Sequence, residues 1–462
     1  MSEWDRALIS RLTKGLGAQG FSQAVQIFIR LAEVPLLLGF WGTQLYGEWL
    51  MLTAIPAYFA LCDGGFAGAA SREMAMHSGA GNRPGALSLF QSTWLLLLLI
   101  SLCVGLFTLV AVQAAPLHEW LAFKVMGSTT VKLVTLLLVA HMLVGFQTGF
   151  IYGGFYCEGR YALGMALSAT TQLMEFGGLA LAVAFGSGPV GAAFGYLGGR
   201  IGGLFLMRIG LYRATPWLHY GWRVATLGEV RRLAAPAFAS LAFPLGNAFN
   251  FQGMRLVVGL MLGPPAVVVF STLRTLTRLS MQPSAVINRL IEPEMASAYG
   301  GNRHNDFRRL FPRSSQVALW MSAVSCIVLG VAGERMLGIW THGKVSMDWP
   351  LYTLLLLSAG VNAIWYTAMM AAYATNRHVR VALVYSAVYG GAVFGLAYIF
   401  TRILGIAGGG LALLLSEIAM APYVLQKTFK LTGESWASWW EKVARPPWFL
   451  FRRINDVSAI QG

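Results

Sequence analysis

The sequence predicts an all-α polytopic membrane protein of about twelve transmembrane helices, in two six-helix lobes related by a pseudo-twofold axis along the membrane normal. Three observations carry this expectation. The composition is too poor in charge for a water-facing surface, apolar runs of spanning length follow one another along the chain, and the second half echoes the first. Of 462 residues, 56% are hydrophobic and 11% charged, with a mean hydropathy of +0.60. A soluble domain carries about 25% charged residues. A net charge of +15 does not mark a nucleic-acid binder here, because the basic residues are split among short segments between apolar runs. Cys62, Cys103, Cys157 and Cys326 stand singly, without metal-type spacing or a disulfide framework.

A spanning helix needs roughly 20 mostly apolar residues. In the first half such runs occupy 17–41, 47–70, 86–114, 131–155, 162–186 and 189–212. In the second half they occupy 233–262, 265–291, 312–333, 350–374, 381–401 and 405–427. Their continuous apolarity, without a period of two, predicts helices rather than a barrel. The N-terminus, every second connection and the C-terminal segment hold 23 of the 34 Lys and Arg residues. By the positive-inside rule both termini are expected in the cytoplasm. No cleavable signal peptide is evident, since residues 1–16 are basic and amphipathic. Trp4, Leu8 and Leu12, like Trp436, Trp440 and Val443, repeat at helical spacing and predict helices lying flat at the headgroup level.

The repeat sets the domain boundaries. Glu73-Met74-Ala75 returns as Glu294-Met295-Ala296, 221 residues on, and Gly81-Asn82-Arg83 returns as Gly301-Asn302-Arg303. Leu89-Phe90 returns as Leu310-Phe311, Tyr156 and Arg160 as Tyr373 and Arg377, and Gly188 and Gly191 as Gly405 and Gly408. Five matches in order, at equivalent topological places, predict two parallel six-span repeats. The expected organisation is an amphipathic N-terminus at 1–16, an N-lobe at 17–212, a basic linker at 213–232, a C-lobe at 233–430 and an interfacial tail at 431–462. Two parallel bundles are the architecture of an alternating-access transporter, with substrate near the midplane.

The segment Leu61-Cys62-Asp63-Gly64-Gly65-Phe66-Ala67-Gly68-Ala69-Ala70-Ser71-Arg72 resembles the Asp-x-Gly segment of bacterial polysaccharide transporters. It follows Gly42-x-x-x-Tyr46-Gly47-x-Trp49 and precedes the Gly81-Asn82-Arg83 loop. Together these are similar to Wzx-type oligosaccharide-lipid flippases of the multidrug/oligosaccharidyl-lipid/polysaccharide exporter superfamily. The resemblance implies a V-shaped exporter fold in a bacterial inner membrane. It also implies movement of a polyprenyl-diphosphate-linked oligosaccharide to the outer leaflet, for surface polysaccharide biosynthesis. Membrane lipid and the polysaccharide polymerase machinery are the further partners implied, with no nucleic acid, metal or cofactor.

Ionisable side chains at bilayer depth are costly unless they face a cavity or a partner. The candidates for substrate binding are Arg30, Arg255, Arg274 and Arg278. Arg274 and Arg278 are i,i+4 neighbours on the eighth span, and on a straight helix Arg289 falls about 20° away, giving one basic stripe. Guanidinium forks suit phosphate oxygens; the alternative is internal pairing with Glu292, Glu294 or Glu175. Arg30 with Glu33, which precedes Pro35, reads as a gate or as a structural pair. Asp63 reads as a coupling-cation ligand or as a local cap. Glu175, Arg200 and Glu417 read mainly as structural, with Arg200 placed to pair with Glu175.

Competing functions separate on charge and loop length. A multidrug exporter of cationic drugs needs carboxylates in its cleft, whereas here arginines outnumber buried acids. A lipid-linked peptidoglycan-precursor exporter also suits a basic cleft, although that family commonly has extra spans. A polysaccharide polymerase, ligase or acyltransferase would need catalytic groups presented together. The longest outer connections, 115–130 and 334–349, hold no catalytic spacing, and no Gly-x-x-x-x-Gly-Lys-Ser/Thr sequence occurs. The chain reads as a transporter, not an enzyme.

Overall fold

The computed structural model describes the backbone of residues 3–300, 303–375 and 378–447, and within them all side chains except those of 3–14, 16, 239, 293, 297, 300 and 378. The side chains of Trp4, Leu8 and Leu12, the Gly301-Asn302 loop, Arg377 and the tail from 448 lie outside the described residues. The described chain is helical, with no strand. In order the helices are α1 Glu3–Phe59, α2 Phe66–Gly79, α3 Arg83–Ala114, the short α4 Leu117–Trp120, α5 Ser128–Cys157, α6 Tyr161–Ala184 and α7 Gly188–Ala214. There follow α8 Leu227–Ala248, α9 Met254–Leu262, α10 Pro264–Thr277, α11 Gln282–Gly300, α12 His304–Thr341 and α13 Trp349–Ala374. The last are α14 His378–Gly391, α15 Tyr398–Leu404, α16 Ile406–Thr432 and α17 Trp436–Ala444.

Eight helical stretches among the described residues are long and apolar enough to cross a membrane. The remaining expected spans are present in other forms. The first two form one continuous stretch, Gly17–Asp63, broken only at Gly42, whose φ of 67° and ψ of −173° suit a glycine. The fifth is α6. The seventh is divided between α8 and α9 by a π-helical segment, Phe249–Gly253, and the eighth between α10 and α11 by a 3-10 segment, Arg278–Met281. The causes are local. Pro236 and Pro244 withdraw amide donors from α8. The ring of Pro283 crowds the carbonyl one turn earlier, where the eighth span tightens. The second span also ends earlier than expected, in a 3-10 turn at Ala60–Asp63 followed by left-handed Gly64 and Gly65.

The chain divides into two compact units. One is Met1–Ala248 with Gly263–Val268, and the other is Phe249–Leu262 with Val269–Gly462. The chain passes between them where the π-helical segment begins.

Small residues let backbones approach where lipid supplies no hydrophobic drive between helices. In the first unit α6 and α7 meet at Gly178 and Gly195, where a Cβ on either would overlap the other's carbonyl. A Cβ on Gly47 of α1 would likewise overlap the carbonyl of Pro264. The expected linker, 213–232, is hydrogen-bonded to α3. Gln91 Nε2 donates to the His219 carbonyl (3.2 Å), and the Val224 and Thr226 amides donate to Gln91 Oε1 (3.2 Å) and Ser92 Oγ (2.8 Å). Arg208 lies 4.9 Å from the centre of the Tyr220 ring. Burial pushes the Tyr220 phenol up to about 12, against the pull of Arg208.

In the second unit the helix of the expected interfacial tail is held by protein contacts. Helix α17 packs on α12: Trp439 and Val443 are buried, Gln316 Nε2 donates to the Arg445 carbonyl (2.6 Å) and Trp320 Nε1 to that of Val443 (3.2 Å). Only Trp436 and Trp440 of the expected apolar face are exposed. Trp439 was absent from that face because it serves protein packing, stacked on Phe311.

One buried acid pins the turn at 124–126. Glu48, fully buried on α1, accepts the backbone amides of Lys124 (2.8 Å), Val125 (2.9 Å) and Met126 (2.7 Å) and the amide of Gln44 (3.0 Å). Hydrogen bonds to charged groups contribute about 1.5–3 kcal/mol each. We expect Glu48→Ala to cost about 3 kcal/mol or more, seen as a fall of several degrees in the unfolding temperature of detergent-purified protein. Glu48→Gln, which keeps one acceptor oxygen, should lose less. An unchanged temperature for the alanine variant would show that the 124–126 turn is held by other contacts.

Candidate functional site

Of the charged residues expected from sequence, Glu175 and Arg200 join a polar cluster in the first unit, and Arg255, Arg274, Arg278 and Glu417 one in the second. In the first unit α5, α6 and α7 bring together His141, Glu175 and Arg200. Arg200 Nε lies 3.0 Å from Glu175 Oε1, so the pairing expected from sequence is present. His141 Nε2 is 3.2 Å from Glu175 Oε2 and 3.2 Å from Arg200 Nε, and Arg200 Nη1 donates to Thr148 Oγ1 (3.3 Å). The Tyr196 ring stacks on His141 at 3.9 Å. Glu33 of α1 lies within electrostatic reach of Tyr196, while Arg30, one turn away, is exposed. Glu175 and His141 are 4% and 7% exposed, and at that depth the partners facing each offset the cost of burying a polar group.

Asp63 is engaged locally. Its Oδ1 accepts the Gly65 amide (2.9 Å), the cap that follows from two left-handed glycines freeing backbone donors. Gly65 in turn admits the Ala237 carbonyl of α8 where a Cβ would crowd it.

The second unit holds the larger cluster. Glu417 of α16 is 5% exposed and takes its hydrogen bonds from neutral donors: Trp365 Nε1 (2.6 Å), Asn362 Nδ2 (3.0 Å) and Tyr389 Oη (2.6 Å). The Tyr389 ring lies 4.6 Å from that of Tyr385, whose hydroxyl accepts from Asn250 Nδ2 (3.1 Å). Asn250 sits in the π-helical segment and receives the fork of Arg274: Nη1 donates to its carbonyl (2.7 Å) and Nη2 to its Oδ1. A run of polar and aromatic side chains thus joins Arg274 to Glu417.

Two guanidinium groups share one ring. Arg274 Cζ lies 4.5 Å and Arg278 Cζ 4.4 Å from the centre of Phe251. The electron-rich ring lowers the cost of keeping the two cations near each other. Arg274 is also within electrostatic reach of Arg255 and Glu417, and Arg255 Nη1 donates to Gln252 Oε1 (3.3 Å). Arg255, Arg274 and Arg278 are therefore neighbours.

The straight stripe through Arg289 needs correction. The 3-10 segment beginning at Arg278 changes the rotation per residue, so a constant 100° step does not connect Arg278 to Arg289. Arg289 is exposed on α11, with Tyr366 in electrostatic reach of it, Glu292 and Arg278.

Sequence reasoning passed over Asn250, Phe251, Tyr385, Tyr389, Trp365, His141 and Glu48. Neutral polar and aromatic residues are common in spans, so composition does not distinguish those that line a network. Glu48 and His141 were legible as ionisable residues inside apolar runs; the other five needed the tertiary contacts.

No protein-family model matches the chain, and no curated protein sequence matches it. Solved structures do. A multidrug resistance transporter of the MATE family, in its inward-facing conformation, is 15% identical with a TM-score of 0.69, over 88% of this chain and 99% of that one. The lipid II flippase MurJ in an inward closed conformation is 14% identical with a TM-score of 0.66, over 90% and 89%. A MOP-superfamily transporter from Pyrococcus furiosus, described as having a binding pocket of reverse polarity that suggests a different function, is 13% identical with a TM-score of 0.64, over 92% and 96%. The chain shares the all-helical fold of these transporter structures.

Proposed function

We propose that the protein is a flippase that moves a polyprenyl-diphosphate-linked oligosaccharide from the cytoplasmic to the outer leaflet of a bacterial inner membrane, for surface polysaccharide biosynthesis. The observation that carries this reading is the pair Arg274 and Arg278 over Phe251. The hydrogen bonds of Arg274 go to the neutral oxygens of Asn250, and Glu417 is engaged by neutral donors. A guanidinium with no carboxylate hydrogen-bonded to it keeps its attraction for an incoming anion, and its planar fork matches two phosphate oxygens. The likeness to the lipid II flippase MurJ supports a lipid-linked substrate. Arg255 adds to the same positive field, and Arg30 of α1 is proposed as a further substrate-binding residue.

A multidrug exporter is the second reading, favoured by the likeness to MATE transporters and by the buried carboxylates Glu175 and Glu417. A peptidoglycan-precursor exporter is a variant of the first, with the same diphosphate chemistry. In this proposal both termini are cytoplasmic, Asp63 and Glu33 belong to the gating elements, and the polysaccharide polymerase machinery receives the exported unit.

Losing one charge-assisted fork costs about 1.5–3 kcal/mol, or roughly 10- to 100-fold in binding. We expect Arg274→Ala and Arg278→Ala each to leave protein in the membrane while cutting delivery of lipid-linked sugar to the outer leaflet by about that factor. Arg→Lys should rescue only in part, since it keeps the charge and loses the planar fork. Wild-type export by both alanine variants at limiting protein would remove the basic site, and export of a cationic dye instead would favour the multidrug reading.

Topology is open to a separate measurement. In a background lacking the four native cysteines, Lys344→Cys should react with an impermeant maleimide in intact cells and Ala80→Cys only after permeabilisation. The reverse pattern would overturn the orientation.

A further inference from the structure

Asn250 occupies the Arg274 fork in the manner of a bound oxyanion. One guanidinium donates through Nη1 to the Asn250 carbonyl (2.7 Å) and through Nη2 to its Oδ1, the two-oxygen pattern that a phosphate would present. Both oxygens belong to one residue of the π-helical segment Phe249–Gly253, whose wide turn leaves a carbonyl open to a side chain. The same segment supplies Phe251, the ring under Arg274 and Arg278, and Gln252, the partner of Arg255. Three arginines thus converge on five residues of backbone. On its other side Asn250 is tied to Tyr385 by Nδ2 (3.1 Å).

We propose that Asn250 is an internal stand-in for the substrate's diphosphate: an incoming prenyl diphosphate takes the Arg274 fork from Asn250, and the π-helical segment, relieved of that tie, changes its hydrogen-bonding register. This rests on the reading of Arg274 and Arg278 as the anion site and adds a specificity device to it. The internal ligand is neutral, so a doubly charged oxyanion outcompetes it, whereas a neutral or cationic solute gains nothing by displacing it. Occupancy is thereby reported at the place in the chain where the first compact unit gives way to the second. The two neutral oxygens also keep Arg274 hydrogen-bonded when no substrate is present, avoiding the cost of an unmatched buried donor.

The test uses full-length protein in nanodiscs with geranyl diphosphate as the probe, read by calorimetry, and hydrogen exchange over 249–253. Removing a competing acceptor should tighten binding, so Asn250→Ala is expected to lower Kd about 3- to 10-fold. Asn250→Asp, which turns the stand-in into a charged competitor, should raise Kd at least about 10-fold. Both variants should lose their effect in an Arg274→Ala background. In the wild type the probe should speed exchange of the 249–253 amides. A residue that only supports the fold would weaken binding in both variants, and that result overturns the proposal while leaving the anion site intact. Slower or unchanged exchange on binding also overturns it. If Arg274→Ala binds geranyl diphosphate as the wild type does, the anion-site reading falls, and the stand-in with it.

Discussion

Around the spans there is no solvent that can hydrogen-bond, and the rest of the molecule answers to that constraint. Backbone groups are satisfied within helices, and each buried polar side chain must find its partner inside the protein. The consequence is visible in how polar groups are distributed. Glu175, His141, Arg200 and Thr148 gather in the first unit, and Glu417, Trp365, Asn362, Tyr389 and Tyr385 in the second. Elsewhere in the first unit helices meet over glycine, as α6 and α7 do at Gly178 and Gly195.

The two clusters differ in kind. In the first, Glu175 faces Arg200 and His141, so charge meets charge within one set of helices. In the second, Glu417 is held by neutral donors and Arg274 by neutral acceptors, so carboxyl and guanidinium share no hydrogen bond. A matched ion pair is a closed structure that offers little to a ligand. A guanidinium on neutral oxygens is open to exchange. In the proposed function that difference, rather than the number of arginines, is the reason the anionic substrate is assigned to the second unit.

Departures from regular helix serve the same logic. The π-helical segment at Phe249–Gly253 presents a carbonyl to Arg274, and the 3-10 segment Arg278–Met281 begins at Arg278, whose guanidinium lies against Phe251. A regular helix at 249–253 would have used that carbonyl internally, and one at 278–281 would have kept the residues after Arg278 in its register. Prolines 236, 244 and 283 mark the interrupted spans in sequence, but a proline says only that a ladder is broken, not which carbonyl is released or what receives it.

By itself the sequence determined the class of solvent, and with it the helical membrane fold, because a span's length and apolarity are local properties of the chain. It also located Glu175, Arg200, Arg274, Arg278 and Glu417, since an ionised side chain in an apolar run is conspicuous without any contact map. The pairing of Arg200 with Glu175 was legible because the small-residue spans on either side leave few other partners. Only the tertiary structure decided that Asn250, Tyr385, Tyr389 and Phe251 join those charges, that Trp439 faces α12 rather than the bilayer surface, and that Glu48 holds the 124–126 turn. The physical reason is one of range. Helix and span are set by neighbours three or four residues apart, whereas Arg274 meets a residue 24 positions away, and Asn250 one 135 positions away, only after the helices have packed.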